Sequence, residues 1–135
     1  MTKTPLTLPV VEPPAGWIVE NHEDHISMFT PGRDAELRLT TFDVEETRTP
    51  AEKWVEVAGQ INRRMGRPVV ATTLGPFVGY ATEFEAMAKR FRGWVLHCGG
   101  LPLDVTYTCS TSLRTRDDAA VDAALETLRI GGTAV

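Results

Sequence analysis

The sequence predicts an α+β fold: a mainly antiparallel β-sheet meander with one central helix and one C-terminal helix packed on it, forming an α/β sandwich. Apolar and polar residues alternate over several short segments, which is the period of a half-buried strand. Two other segments carry apolar residues at spacings of three and four, the period of an amphipathic helix. At 135 residues the chain fits one domain. We place this domain at 16–132, behind a proline-rich extension at 1–15.

The N-terminal part is predicted to be extended. The prolines of 1–15 lack a backbone donor and favour extended backbone in the residues before them. Segments 17–21 and 25–30 are rich in β-forming residues, and the polar stretch between them indicates a hairpin turn. After a Pro-Gly turn, 36–44 alternates as a further strand.

Thr49-Pro50-Ala51-Glu52 is the sharpest local signal and predicts the start of the central helix. Thr49 can cap the backbone, Pro50 suits the first helical position, and Glu52 completes a capping box. We expect the helix to pack on the sheet through one apolar stripe: Trp54, Val55, Ala58, Ile61 and Met65.

From residue 69 onward the period changes to two. Segments 69–74, 77–88, 92–98 and 103–109 are predicted to form consecutive antiparallel strands. The turn around Gly99-Gly100 closes either as a two-residue loop, with Leu96 opposite Leu103, or as a four-residue loop, with Cys98 opposite Leu103.

Cys98 and Cys109 are the two cysteines of the chain. Either register separates them by about six residues along a strand, or roughly 20 Å. Because bridged cysteines need Cα atoms within about 7 Å, we expect both thiols to be free and buried.

The final helix is predicted from Thr115, with Asp118 completing a second capping box and Gly131-Gly132 ending the helix. Its apolar stripe is Val121, Ala124, Leu125 and Leu128.

Composition excludes several classes of function. The net charge of -4 gives no general attraction to phosphate backbones or anionic lipid, so we expect neither a nucleic-acid nor a membrane partner. No stretch approaches the roughly 20 apolar residues of a membrane span, and the N-terminus lacks the apolar core of an export signal, so we expect a cytoplasmic location. Phosphate-binding, dinucleotide-binding and nucleophile-elbow motifs are absent, so we expect no cofactor.

The polar side of the meander contains a candidate catalytic cluster. His97 lies on one predicted strand, Asp104 on the next, and Glu83 and Glu85 on the strand before. Matching the apolar rows places Glu83 or Glu85 opposite His97, with Asp104 across or one diagonal away. A neighbouring carboxylate raises the pKa of a histidine and orients its ring, which suits proton transfer or metal binding. The alternative is charge pairing on a solvated sheet face.

His22 and His25, with Glu23 and Asp24 between them, form a weaker candidate metal site. Two ligands rarely hold a metal in a protein, so a solvated turn is the alternative.

The order of elements resembles the PsbP-like α/β superfamily over residues 16–130. The residues that carry the resemblance are Gly16-Trp17, the segment 26–31 with its Pro-Gly turn, Thr49-Pro50-Ala51-Glu52, the segment 105–109, and Leu125 with Leu128-Arg129. Members of that superfamily act mostly as accessory or binding proteins: photosystem extrinsic subunits, a Ran-binding nuclear transport factor, and chaperones of type VI secretion effectors. The resemblance implies a binding role and carries over no catalytic residue.

We therefore expect a non-enzymatic protein-binding module, such as an adaptor, an effector chaperone or an immunity-type protein, with a protein partner or a second copy of the chain. The alternative function is a small-molecule enzyme or ligand-binding protein that uses the cluster around His97.

Overall fold

The computed structural model describes residues 8–42 and 49–131. Within them it contains nine strands and two α-helices. The strands are β1 (Pro9–Val10), β2 (Ile18–Asn21), β3 (His25–Phe29), β4 (Ala35–Thr40), β5 (Val70–Leu74), β6 (Phe77–Ala86), β7 (Lys89–Cys98), β8 (Leu101–Ser110) and β9 (Arg129–Ile130). The helices are α1 (Ala51–Arg64) and α2 (Asp118–Glu126), with a short 3-10 helix at Thr111–Leu113.

Seven strands form one sheet in the order β2-β3-β4-β8-β7-β6-β5. Every neighbouring pair is antiparallel, and β5 to β8 follow one another as a meander. The predicted α+β class with a mainly antiparallel sheet is therefore confirmed. The remaining two strands, β1 and β9, pair with each other in a separate small sheet.

The turn between β7 and β8 takes the shorter of the two predicted loops. Leu96 pairs with Leu103 and Cys98 with Leu101, so Gly99 and Gly100 form a two-residue loop. Their φ values of 53° and 87° are the left-handed conformations that such hairpin turns need and that glycine adopts without strain.

Both faces of the sheet are covered, each by a different helix. Trp94 and Leu96 of β7 share the larger core with Val121, Leu125 and other residues of α2 and the sheet. Val95, which points to the opposite face, packs with Tyr80 of β6 and Val55 of α1. Helix α1 therefore covers part of the face that was predicted to be polar and solvated. The sandwich has three layers, namely α1, the sheet and α2.

Only part of the predicted α1 stripe faces the sheet. Val55 is buried, and Gly59 lies so close to Tyr80 that an added Cβ would be 3.3 Å from its ring. By contrast, Ile61 and Met65 are 50% and 58% exposed. The prediction that these last two side chains pack on the sheet was wrong.

The helix ends also differ from the predicted ones. Pro50, not Thr49, occupies the N-cap position of α1. The second helix begins at Asp118 rather than Thr115, and no side-chain hydrogen bond caps it at Asp117. It ends at Glu126, because the following residues leave the helix to form β9 beside β1. Gly132, predicted to end this helix, lies outside the described residues.

The two cysteines are free, as predicted. Both lie on the face covered by α2, but Cys98 pairs with Leu101 at one end of β8 and Cys109 pairs with Arg90 near the other end. Cys109 is buried, whereas Cys98 is only half-buried.

Neither helix in the described part of the chain combines the length and the apolar character needed to cross a bilayer.

Candidate functional site

The predicted cluster around His97 does not assemble, because β6 and β7 pair in a different register. Val78 lies opposite His97, while Glu83 and Glu85 pair with arginines farther along β7. Val78 is an odd number of residues from either glutamate, and successive side chains of a strand point to opposite faces. Glu83 and Glu85 therefore lie on the α2 face, whereas His97 lies on the α1 face. Their predicted placement opposite His97 was wrong.

His97 and Asp104 do share a face. His97 pairs with Pro102 and Asp104 with Val95, so the two side chains are diagonal neighbours, which is one of the two predicted arrangements. Asp104 is half-buried, and this burial raises the pKa of its carboxyl group. Among the described residues, neither His97 nor Asp104 makes a side-chain hydrogen bond or ion pair. Their catalytic role stays a prediction without a supporting contact.

His22 and His25 lie beside the β2–β3 turn with their rings stacked, the centroids 4.3 Å apart. His25 Nδ1 is 2.8 Å from Asp24 Oδ1, and the hydrogen bond from His25 lowers the pKa of Asp24. Stacked rings present their faces to each other, not converging lone pairs. No group of three or more potential metal ligands occurs in the described residues. The candidate metal site at His22 and His25 stays a prediction that the geometry does not favour.

The glutamates of β6 belong instead to an ion-pair network that joins the sheet to α2. The buried guanidinium of Arg90 donates to the backbone carbonyl of Arg114 at 2.6 Å, to Asp118 at 2.7 Å and to Glu83 at 3.0 Å. Glu85 pairs with Arg114 at 2.7 Å. Asp118 also lies in the first turn of α2, where a negative charge complements the helix dipole. Each of these carboxylates has an arginine partner, and the catalytic role of Glu83 and Glu85 stays a prediction.

A cleft of about 650 Å³ opens at the end of the sheet near the β6–β7 turn; we call it the hairpin cleft. Three segments line it, namely 33–36 at the start of β4, 87–89 at the tip of the β6–β7 hairpin and 108–110 at the end of β8, together with Phe29. Three other clefts lined by described residues are smaller, at about 370, 200 and 140 Å³.

Strained backbone is concentrated in this cleft. Among the described residues, the non-glycine residues with positive φ are Arg33 (58°), Met87 (54°) and Ala88 (63°), and all three line the hairpin cleft. A left-handed conformation costs an L-residue roughly 1–2 kcal/mol. Such outliers often gather at sites where structure serves binding or catalysis.

The lining contains two cations, Arg33 and Lys89, and two carboxylates, Asp34 and Glu36, and each carboxylate has an arginine partner outside the lining. Arg33 lies over the ring of Phe29, 4.3 Å from its centroid, and the side chains of Arg33 and Lys89 form no ion pair with a described residue. The nearby Asp34 is already occupied, because Arg116 donates two hydrogen bonds to it at 2.9 and 2.7 Å. These bonds hold the pKa of Asp34 well below its usual value.

Sequence reasoning missed the hairpin cleft because it extended the strand through Met87 and Ala88. The strand ends at Ala86, and Ala86 pairs with Lys89 across a two-residue turn. This turn contains no glycine, proline, asparagine or aspartate, the residues that normally mark one. The signal in the sequence was indirect. The consecutive strands β6 and β7 have ten residues each, so a turn has to join them.

A second surface lies along the solvent side of α1. Val57, Ile61 and Met65 recur every four residues and are 39%, 50% and 58% exposed; we call them the outer row. Lys53 lies four residues before Val57, and Arg64 three residues after Ile61, so basic side chains neighbour the row on the helix surface.

Solved structures share this fold at low sequence identity. A protein from Bacteroides thetaiotaomicron VPI-5482 matches with a TM-score of 0.64 and 12% identity over 94% of this chain, which spans 46% of that protein. Cyanobacterial PsbP (CyanoP) from Synechocystis sp. PCC 6803 matches with a TM-score of 0.53 and 11% identity, over 95% of this chain and 94% of its own. LpqN of Mycobacterium tuberculosis, described as involved in cell envelope biogenesis, matches with a TM-score of 0.56 and 15% identity, over 96% of this chain and 87% of its own.

No protein-family model and no curated protein matches the sequence. At identities of 11% to 15% the structural likeness shows the fold alone. The chain has a PsbP-like fold, which confirms the resemblance drawn from its residues.

Proposed function

We propose that the chain is a non-enzymatic accessory module that binds another protein through the outer row of α1. The observation that carries this proposal is the exposure of Val57, Ile61 and Met65 at one helical spacing. A surface helix normally turns its apolar stripe to the core and polar residues to water. An apolar row left in water on the outer side of a packed helix is typical of a protein-binding surface.

The charges beside the outer row indicate what the partner presents. Lys53 and Arg64 neighbour the row, and the exposed Glu56 lies 3.7 Å from Lys53, a surface pair that contributes little. A partner segment with an apolar row and acidic flanks would complement this surface.

A second copy of the chain complements the outer row less well. In an antiparallel two-fold pair of α1 helices, the same flank of each helix meets its copy. In that arrangement Lys53 of one copy would lie near Arg64 of the other, so positive charges would face each other. We therefore assign the outer row to a different protein.

Co-purification from the native cells tests the proposal. We compare the wild type with the double variant Val57→Gln, Ile61→Gln, and with Val70→Gln as a matched control, since Val70 is 61% exposed on the edge strand β5. Burying a half-exposed aliphatic side chain is worth about 1 kcal/mol, so each row substitution should weaken binding about fivefold.

A stoichiometric partner that survives in Val70→Gln and is lost in the double variant supports the proposal, provided that cross-linking locates an acidic-flanked apolar segment on the partner. Equal retention by both variants, or no partner, would refute it. A homodimer abolished by the row substitutions would reassign the surface to a second copy. The cytoplasmic location stays a prediction, which cell fractionation tests.

A further inference from the structure

We propose that the hairpin cleft is a binding site for a small organic anion, one that has a carboxylate or phosphate group attached to an apolar body. No residue of α1 lines this cleft, so the inference is independent of the protein-binding surface proposed above. A volume of about 650 Å³ lies in the range of small-molecule sites.

The anionic end of the ligand follows from the charges. Arg33 and Lys89 line the cleft from two sides and have no carboxylate partner among the described residues. Asp34 and Glu36 also line the cleft, but Arg116 binds Asp34 at 2.7 Å and Arg38 lies 3.9 Å from Glu36, so both carboxylates have an arginine partner outside the lining. Thr108, also in the lining, adds a hydroxyl that can donate to an anion.

The apolar body of the ligand follows from the rest of the lining. Phe29 contributes a buried ring, and the adjoining tip of the β6–β7 hairpin contributes Met87 and Ala88. Met87 is 95% exposed, which is unusual for a long apolar side chain and leaves it free to fold over a ligand.

Both rims of the cleft are held in place without a ligand. The Arg33 amide donates to the Thr30 carbonyl at 2.8 Å, and Asp34 in the same turn accepts two bonds from Arg116. On the other rim, the Thr111 amide donates to the Ala88 carbonyl at 3.0 Å. Fixed rims lower the ordering cost of binding, and the strained backbone at Arg33, Met87 and Ala88 is what these contacts maintain.

Nuclear magnetic resonance titration of backbone amides tests the proposal, with 2-naphthoate as the probe. Its uncharged analogue 2-naphthamide and inorganic phosphate serve as comparison ligands. We expect 2-naphthoate to shift the amides of segments 33–36, 87–89 and 108–110. A hydrogen bond to a charged group is worth about 1.5–3 kcal/mol, so Arg33→Gln and Lys89→Gln should each raise the dissociation constant at least tenfold.

Arg129→Gln is the matched control, because Arg129 is an exposed arginine of β9 outside the cleft lining, and it should leave binding unchanged. Thermal unfolding of each variant verifies that it folds. Absence of shifts at the cleft up to the solubility of 2-naphthoate, or equal binding by Arg33→Gln, Lys89→Gln and wild type, would overturn the proposal. Equal affinity for 2-naphthamide would overturn its anionic part, and equal affinity for inorganic phosphate its apolar part.

Discussion

Replacing Ala88 by glycine should stabilise the protein, although the same change elsewhere in a sheet weakens it. Met87 and Ala88 form the two-residue turn between β6 and β7, and Ala88 has a φ of 63°. Left-handed backbone costs an alanine roughly 1–2 kcal/mol that glycine does not incur. Glycine in turn gives the unfolded chain more freedom, which offsets about 0.4–1 kcal/mol of that gain. The net expectation is a stabilisation of about 1 kcal/mol.

Urea and thermal unfolding measure this difference directly. For a chain of 135 residues, about 1 kcal/mol corresponds to a rise in Tm of about 4 °C. Ala86→Gly is the matched control, because Ala86 is exposed and lies two residues earlier in extended backbone, where glycine should destabilise by about 0.5–1 kcal/mol. If Ala88→Gly lowers Tm as much as Ala86→Gly does, the strain inferred at the turn is not present.

Three further predictions concern charges and thiols. Arg90→Ala leaves Asp118 without its closest partner and should lower the free energy of unfolding by about 3 kcal/mol; a loss below about 1 kcal/mol in urea unfolding would contradict this. Hydrogen bonds from an arginine hold the pKa of Asp34 below its unfolded value of about 3.9, so stability present above about pH 4 is lost on acidification. The urea midpoint should therefore fall less steeply with acid in Asp34→Asn, and equal slopes would exclude the effect. Thiol titration without reductant should find both thiols in unfolded protein and only Cys98 reacting quickly in native protein, since Cys109 is 2% exposed; any missing thiol on unfolding would indicate a disulfide.

The sheet was predictable because its signals are local. Alternation with a period of two marks each long strand, and Gly99-Gly100 supplies both left-handed residues that a two-residue hairpin needs. Matching the apolar rows of β7 and β8 leaves two registers, and the structure takes the one with the two-residue loop, in which Leu96 lies opposite Leu103. Where turn chemistry and side-chain alternation agree, sequence alone limits the pairing to a few registers.

The register of β6 on β7 was not predictable in the same way. Its turn at Met87 and Ala88 lacks any turn-forming residue, and charged side chains follow it instead of an apolar row. Placing the turn a few residues later puts Glu83 opposite His97, whereas the observed turn puts Val78 there. The predicted and the observed placements differ by five residues, which is an odd number, so the glutamates lie on the other face of the sheet. An error in one turn therefore accounts for the misplacement of both glutamates.

The position of α1 was missed for a different reason. Val95 is an apolar residue on the side of β7 that was predicted to be polar, and it lies between the buried Trp94 and Leu96 of the other face. Strands that are covered on both sides lose clean alternation. Val95 was therefore a signal that a helix packs over that face, whereas Tyr80 joins it there because the register of β6 differs from the predicted one.

The strained backbone of the hairpin cleft links the stability of the protein to the proposed binding role of the cleft. A strained, fixed rim lowers the cost of ordering the site for a ligand, at the expense of folding free energy. Ala88→Gly should therefore raise Tm and at the same time weaken 2-naphthoate binding, because glycine frees the rim that holds Met87 in place. Measuring both quantities on this variant separates two explanations of the strained turn. If Tm rises and affinity is unchanged, the strain at Ala88 serves no purpose in the cleft, even where the cleft itself binds the anion.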